Sequence, residues 1–134
     1  MLQLQNRRRG QQRLRRLALN RYGGQCALCD IKDEPFLIAS HIVPWAHSED
    51  GRGDLRNVIV LCRPHDSLFE YGYRSLMDDL TIVRTPREPI SWVIAALLPR
   101  EVAFRLPIAH TPGDSYVKDH RRRHGLYPFD AESA

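Results

Sequence analysis

Two short motifs with metal-ligand spacing constrain the fold of this chain more than any other feature. A C-x-x-C pair occupies 26–29, and a C-x-x-H pair occupies 62–65. Tetrahedral zinc is commonly bound by two such pairs from distant parts of a chain. The alternative is that the cysteines are small buried hydrophobic residues and the histidine is unrelated. Two matched gaps favour the metal, so we predict structural Zn²⁺ at Cys26, Cys29, Cys62 and His65.

Composition sets the broad class of the protein. The 134 residues, 43% of them hydrophobic, fit one domain with a modest core. An odd number of cysteines, three, argues against a disulfide framework and favours metal thiolates in a reducing compartment. The sequence lacks an apolar run long enough to cross a bilayer. We therefore expect a cytoplasmic protein with no membrane partner.

Basic residues are concentrated near the start of the chain. The net charge is +4, yet no acidic residue precedes Asp30. Residues 1–9 read as a frayed lead and 11–21 as a helix, with Leu14, Leu17 and Ala18 on one apolar stripe and Gly23-Gly24 as its end. Arginines surround that stripe, so the outer face is either a solvated basic surface or a contact for nucleic acid.

The middle of the chain predicts a compact succession of elements. Apolar runs at 36–43 and 57–61 read as strands, separated by a polar loop at 45–56. A helix follows at 64–71, with Gly72 as its stop. Beyond it, 80–84 reads as a strand, 91–98 as a helix or buried strand, and 114–124 as a helix. The predicted fold class is α+β.

Three polar residues of this segment can support hydrolysis. An imidazole such as that of His41, at the end of a strand, can accept a proton from water near pH 7. The Asn57 amide can hold the loop or the imidazole by hydrogen bonds. The Asp66 carboxylate is a hard oxygen ligand suited to Mg²⁺ or Mn²⁺. Taken singly, each also has an ordinary structural explanation, for example Asp66 as a helix N-terminal charge.

The same residues carry a resemblance to the HNH endonuclease superfamily, in particular its restriction-type branch. That branch reads A/S-H-I-x-P-W, R-x-D-x-x-N and H-x-x-F-D-x-G. This chain has S-H-I-V-P-W at 40–45, R-G-D-L-R-N at 52–57 and D-S-L-F-E-Y-G at 66–72. Weaker matches are R-R-G-Q at 8–11, Y-G-G-Q-C at 22–26 and Y-V-K-D-H-R at 116–121.

The resemblance implies a ββα-metal fold and a role for each matched residue. His41 corresponds to the general base and Asn57 to the asparagine that orients the loop and the base. Asp66 stands where the family has its last metal-binding histidine. Ser40 and Glu70 are further departures, because many members carry a metal ligand before the base and an aspartate in the last motif.

The implied protein is a single HNH nuclease domain over 1–134. Its predicted parts are a basic N-terminal helix (1–23), a zinc-clamped ββα core (24–75) and a C-terminal extension (76–134). The implied activity is metal-dependent cleavage of DNA phosphodiester bonds, by the protein alone or with a second copy or a specificity partner. The predicted DNA contacts are all arginines: Arg8, Arg9, Arg13, Arg16, Arg52, Arg121 and Arg122.

Three alternatives remain at this stage. The chain can be a zinc-stabilised DNA-binding module that has lost cleavage, as the substitutions at Ser40 and Asp66 suggest. It can be a zinc-held protein-interaction domain. If no zinc binds, His65 can instead serve the catalytic metal, with Asp66 as its neighbour.

Overall fold

The computed structural model of the protein describes residues 2–44, 51–84 and 90–126, and for 2–8 the backbone alone. The predicted loop segment 45–50 therefore lies outside the described residues. Helix α1 spans Leu2–Arg21, so the prediction of a frayed lead before the helix is wrong. Arginine, glutamine and leucine, which dominate its first half, all have good helix propensity.

Helix α1 ends at the predicted glycines. Gly23 and Gly24 adopt φ of 68° and 70°, and the Gly24 amide donates to the Leu19 carbonyl at 2.8 Å. Leu14 and Ala18 are buried as expected. Leu17 is 37% exposed, because a position three residues after Leu14 falls at the margin of the packed stripe.

Two antiparallel strands form the centre of the molecule. Strand β1 is Leu37–His41 and strand β2 is Val58–Cys62, with Leu37 opposite Cys62 and His41 opposite Val58. All five residues of β2 are buried, because α1 and α2 both contact the pair. This register sets the catalytic candidate His41 at one end of the ribbon and the metal candidate Cys62 at the other.

Helix α2, Arg63–Glu70, follows β2 without a loop. Cys62 is extended at its N-cap, and Pro64 occupies the first turn, where its missing N–H leaves no hydrogen bond unmade. Gly72, with φ of 80°, follows the helix. The predicted order of strand, loop, strand and helix agrees with this arrangement.

The rest of the chain surrounds this centre. Strands β3 (Arg74–Leu76) and β4 (Ile82–Arg84) form a second antiparallel pair; β3 was not predicted. Helix α3, Trp92–Leu97, is exposed, and helix α4, Asp114–Arg123, packs on β3. Helices and small antiparallel sheets together confirm the α+β class.

No helix in the described ranges combines the length and apolarity needed to span a bilayer.

Candidate metal centre and catalytic cleft

The two motifs meet in one buried cluster. The donor atoms of Cys26, Cys29, Cys62 and His65 all lie within 4.8 Å of one another, and each residue is fully buried. The Cys29 and Cys62 sulfurs are 3.7 Å apart, and His65 Nδ1 lies 3.2 Å from the Cys62 sulfur and 3.9 Å from that of Cys26. Sulfurs bound to one tetrahedral zinc are separated by about 3.8 Å, given Zn–S bonds of about 2.3 Å. The group can therefore hold a metal such as zinc.

Local geometry explains why the sulfurs converge. The Ala27 amide donates to the Val60 carbonyl of β2 at 2.8 Å, which fastens the first motif beside the second. The Leu28 amide points at the Cys26 sulfur, 3.4 Å away. His65 faces the same centre because it lies one helical turn from the extended Cys62.

The charges of these sulfurs also fit a cation. A hydrogen bond from the Cys62 thiol lowers the pKa of Cys26 to about 4. The same contact and burial raise the pKa of Cys62, and burial raises that of Cys29. Three sulfurs this close cannot all ionise readily unless a positive ion balances them, and a coordinated thiol is deprotonated outright.

A carboxylate that the motifs do not include completes the surroundings of His65. The Nε2–H of His65 donates to Oε2 of Glu101 at 2.9 Å, so Nδ1 carries the lone pair that faces the cysteines. Burial would raise the pKa of Glu101, but Arg74 and Arg84 lower it overall. Glu101 lies in an irregular segment bounded by Pro99 and Pro107. No sequence motif marks this residue.

His41 lies at the end of β1 with a fixed ring orientation. Its Nε2 lies 3.0 Å from the backbone carbonyl of Arg52. Because a carbonyl oxygen can only accept, Nε2 carries the hydrogen and Nδ1 carries the lone pair. This tautomer gives the imidazole a basic nitrogen, as a general base requires.

Asn57 is fully buried and fixes the loop that follows β1. Its Oδ1 accepts from the Val43 amide at 2.8 Å, and its Nδ2 donates to the carbonyls of Val43 and Gly51 at 3.1 and 3.0 Å. Gly51 precedes Arg52, whose carbonyl holds His41. Asn57 therefore acts on the imidazole through the backbone of the loop.

Asp66 and His41 line the same cleft, of about 260 Å³. Ser40 donates a hydrogen bond to Oδ1 of Asp66. His65 faces the cysteine cluster and is not among the residues that line this cleft, which disfavours the alternative in which it serves the catalytic metal. The remaining polar walls of the cleft are Glu70 from α2 and the end of α4: His120, Arg123 and His124.

The arginines of α4 correct one prediction. Arg121, predicted to contact DNA, is 1% exposed; it donates to the Leu76 carbonyl at 2.7 Å and to Asp78 at 2.8 Å. It is therefore a core cation and not a phosphate contact. Arg123, not among the predicted contacts, reaches the cleft and donates to the Ile42 carbonyl at 2.7 Å.

The other predicted DNA contacts are distributed over two elements and one loop. Arg9, Arg13 and Arg16 are exposed on α1, and Arg122 is exposed on α4. The Arg8 side chain lies outside the described residues. Arg52 is half-buried, and the structure shows a contact to His41 through its backbone. Neither the exposed arginines of α1 nor Arg122 are among the residues that line the cleft of His41 and Asp66.

Comparison with known proteins gives the family. Residues 26–77 match the family described as HNH endonuclease. The matched segment contains both cysteine motifs, His41, Asn57 and Asp66. No curated protein matches the chain. The cluster, the cleft and this match agree: residues 26–77 form a domain of the HNH endonuclease family.

Proposed function

We propose that the protein is a metal-dependent DNA endonuclease of the restriction-type HNH branch. The observation that carries the proposal is the shared cleft of His41 and Asp66, with the His41 ring oriented by the Arg52 carbonyl. In this reading β1, β2 and α2 are the ββα-metal core of a single domain over 1–134. The cysteine cluster holds a structural Zn²⁺, which is needed because five-residue strands and an eight-residue helix bury little surface.

The reaction follows from the chemistry of these side chains. The Nδ1 lone pair of His41 accepts a proton from water as the water oxygen bonds to phosphorus, and the Arg52 carbonyl holds the opposite N–H. The bond between phosphorus and one sugar oxygen breaks, and that oxygen leaves with a proton from solvent. Asp66 would hold Mg²⁺ or Mn²⁺, and the bound ion would supply positive charge to the scissile phosphate. Ser40 restrains the Asp66 carboxylate by its hydrogen bond to Oδ1.

DNA is the expected substrate because exposed arginines lie on α1 and α4. Helix α1 carries no acidic residue, and Arg9, Arg13 and Arg16 are exposed on it. Such a face attracts phosphates without reading bases. Besides the arginines of α1, Arg123 supplies a positive charge within the cleft itself. A second copy or a specificity partner would then supply sequence selection.

A DNA-binding module without cleavage is the second candidate, and one observation favours it. Within the described residues, a group of three or more His, Cys, Asp and Glu donors close enough for a metal occurs at the cysteine cluster. The cleft thus offers its cation fewer protein ligands than a closed site has. Asp66 must share the ion with water and phosphate oxygens, as Mg²⁺ commonly allows.

Cleavage of supercoiled plasmid tests the proposal. We expect nicking with Mg²⁺ or Mn²⁺ and none with EDTA. His41→Ala should reduce the rate by about 10²–10⁴-fold, the usual contribution of a general base, and Asp66→Asn should raise the Mg²⁺ requirement. His110→Ala, which removes an exposed histidine of the extension, is the matched control. DNA binding by a folded wild type that never cleaves would support the module instead.

A further inference from the structure

The Glu101 side chain links the metal cluster to the chain beyond the family match. Its Oε2 accepts from Nε2 of His65 at 2.9 Å and from Nε of Arg74 at 2.8 Å. Its Oε1 accepts from Nη2 of Arg84 at 2.9 Å. The Glu101 side chain is 11% exposed, so these contacts are largely shielded from water.

The residues after Glu101 attach to the first cysteine motif. The Val102 amide donates to the Leu28 carbonyl at 2.8 Å, and the Arg105 amide donates to the Ala27 carbonyl at 2.9 Å. Ala27 and Leu28 are the two residues between the cysteines of that motif. Segment 101–105 therefore contacts the cluster both through a ligand side chain and through the backbone between two ligands.

We propose that Glu101 is the positioning carboxylate of the metal centre, and that metal occupancy and docking of segment 101–105 are coupled through it. The inference rests on the proposed zinc at the cysteine cluster. An imidazole that donates one N–H to a carboxylate is held in the tautomer and orientation that present its other nitrogen to the ion. The negative charge of the carboxylate also makes that nitrogen a stronger electron-pair donor to the ion.

The coupling runs in both directions. If docking of segment 101–105 strengthens metal binding by some factor, the metal must strengthen docking by the same factor. The HNH match ends at residue 77. The extension would thus be part of the metal centre and not an appendage.

The affinity of the Glu101→Gln variant for Zn²⁺ provides the first test. This variant keeps an oxygen acceptor for His65 but removes the charge. We expect Zn²⁺ to bind in unchanged stoichiometry but about 10–100-fold more weakly in competition with a chromophoric chelator. Glu34→Gln, an exposed glutamate outside the cluster, should bind as wild type does. Affinity of Glu101→Gln within twofold of wild type would overturn the proposal.

A double-mutant cycle separates positioning from general stability. His65→Cys supplies a fourth thiolate, which has no N–H for Glu101 to accept. In that background Glu101→Gln should lose its effect on Zn²⁺ affinity, and the thiolate-to-cobalt absorption of the Co²⁺ form should be the same with either residue at 101. An equal loss in both backgrounds would show that Glu101 acts through the fold alone, and would overturn the proposal.

Hydrogen exchange tests the reverse direction and decides the question even if His65→Cys does not fold. In wild type, chelation at low denaturant should deprotect the Val102 and Arg105 amides together with the cluster. In Glu101→Gln those two amides should exchange faster while Zn²⁺ is still bound. Unchanged protection in the zinc-bound variant would refute the coupling. None of these readouts depends on DNA cleavage. A failure of the nuclease proposal would therefore not affect the proposal for Glu101, and a failure of the proposal for Glu101 would not affect the nuclease proposal.

Discussion

His120 should make the stability of the protein depend on acidity in a measurable way. The residue is 2% exposed and lies on α4, where it faces β3 and α2. Its Nε2 donates to the Phe69 carbonyl at 2.8 Å, and its Nδ1 lies 2.6 Å from the Ser75 hydroxyl, which donates to it. The Phe69 ring stacks on the imidazole at 3.8 Å. Both ring nitrogens of the neutral imidazole are therefore hydrogen-bonded.

Burial is the main reason that the pKa of His120 falls to about 3. The Phe69 carbonyl opposes the shift, whereas the charges of His124, Arg123 and Arg121 increase it. An unfolded histidine has a pKa of about 6.5. As the pH falls below 6.5, His120 of the unfolded chain therefore binds a proton, whereas His120 of the native protein stays neutral until about pH 3. Stability from this group is full above pH 6.5 and is lost as the pH falls towards 3.

The size of the effect follows from linkage. Between pH 7 and pH 5 the difference in proton uptake corresponds to about 2 kcal/mol of unfolding free energy. Urea unfolding at both pH values would measure it, with metal held at saturation. His120→Gln is the reference, because its amide can donate to Phe69 and accept from Ser75 but does not titrate. Other acid-sensitive groups, the metal ligands included, remain in both proteins.

We expect the wild type to lose about 2 kcal/mol more than His120→Gln over that interval. The two proteins must be compared by their changes with pH and not by absolute stability, because the variant also loses the ring stack. Parallel curves, or an imidazole signal of His120 that titrates near pH 6.5 in the native protein, would refute the reasoning.

Three other predictions concern the metal, the loop and α4. Elemental analysis should give about one zinc per chain, and chelation should unfold the protein; a folded, zinc-free chain would contradict the assignment. Asn57→Ala removes the partner of the Val43 amide and one partner of the Gly51 carbonyl, so it should cost about 2–3 kcal/mol and lower cleavage at a temperature where it is still folded. Arg121→Met should destabilise the protein by about 2 kcal/mol without changing DNA affinity per folded molecule; a selective loss of affinity would restore Arg121 as a phosphate contact.

The sequence predicted those parts of the site that depend on local spacing. A two-residue gap between ligands and a strand that runs directly into a helix leave Cys62 and His65 few other arrangements. The placement of His41 and Asn57 at facing ends of two strands follows in the same way. These residues sit within one continuous segment, so turn and strand geometry alone bring them together.

The remainder depends on tertiary packing, which spacing does not reveal. Three successive arginines point about 100° apart around a helix. Packing on β3 buries Arg121 against the Leu76 carbonyl, whereas Arg123 reaches the Ile42 carbonyl at the cleft. Glu101 meets His65 from an irregular segment with no motif. Strand β3 has three residues, too few for a periodic pattern.

Arg15 carries a consequence for any attempt to reshape the surface charge of α1. Its Nη1 donates to the Leu37 carbonyl at 2.6 Å and its Nη2 to the Glu34 carbonyl at 2.9 Å, so one planar fork staples the helix to the entry of β1. Lysine offers a single flexible ammonium and cannot reproduce that fork. Exchanging arginine for lysine should be harmless at Arg9, Arg13 and Arg16, yet at Arg15 it would loosen the strand that ends in the imidazole.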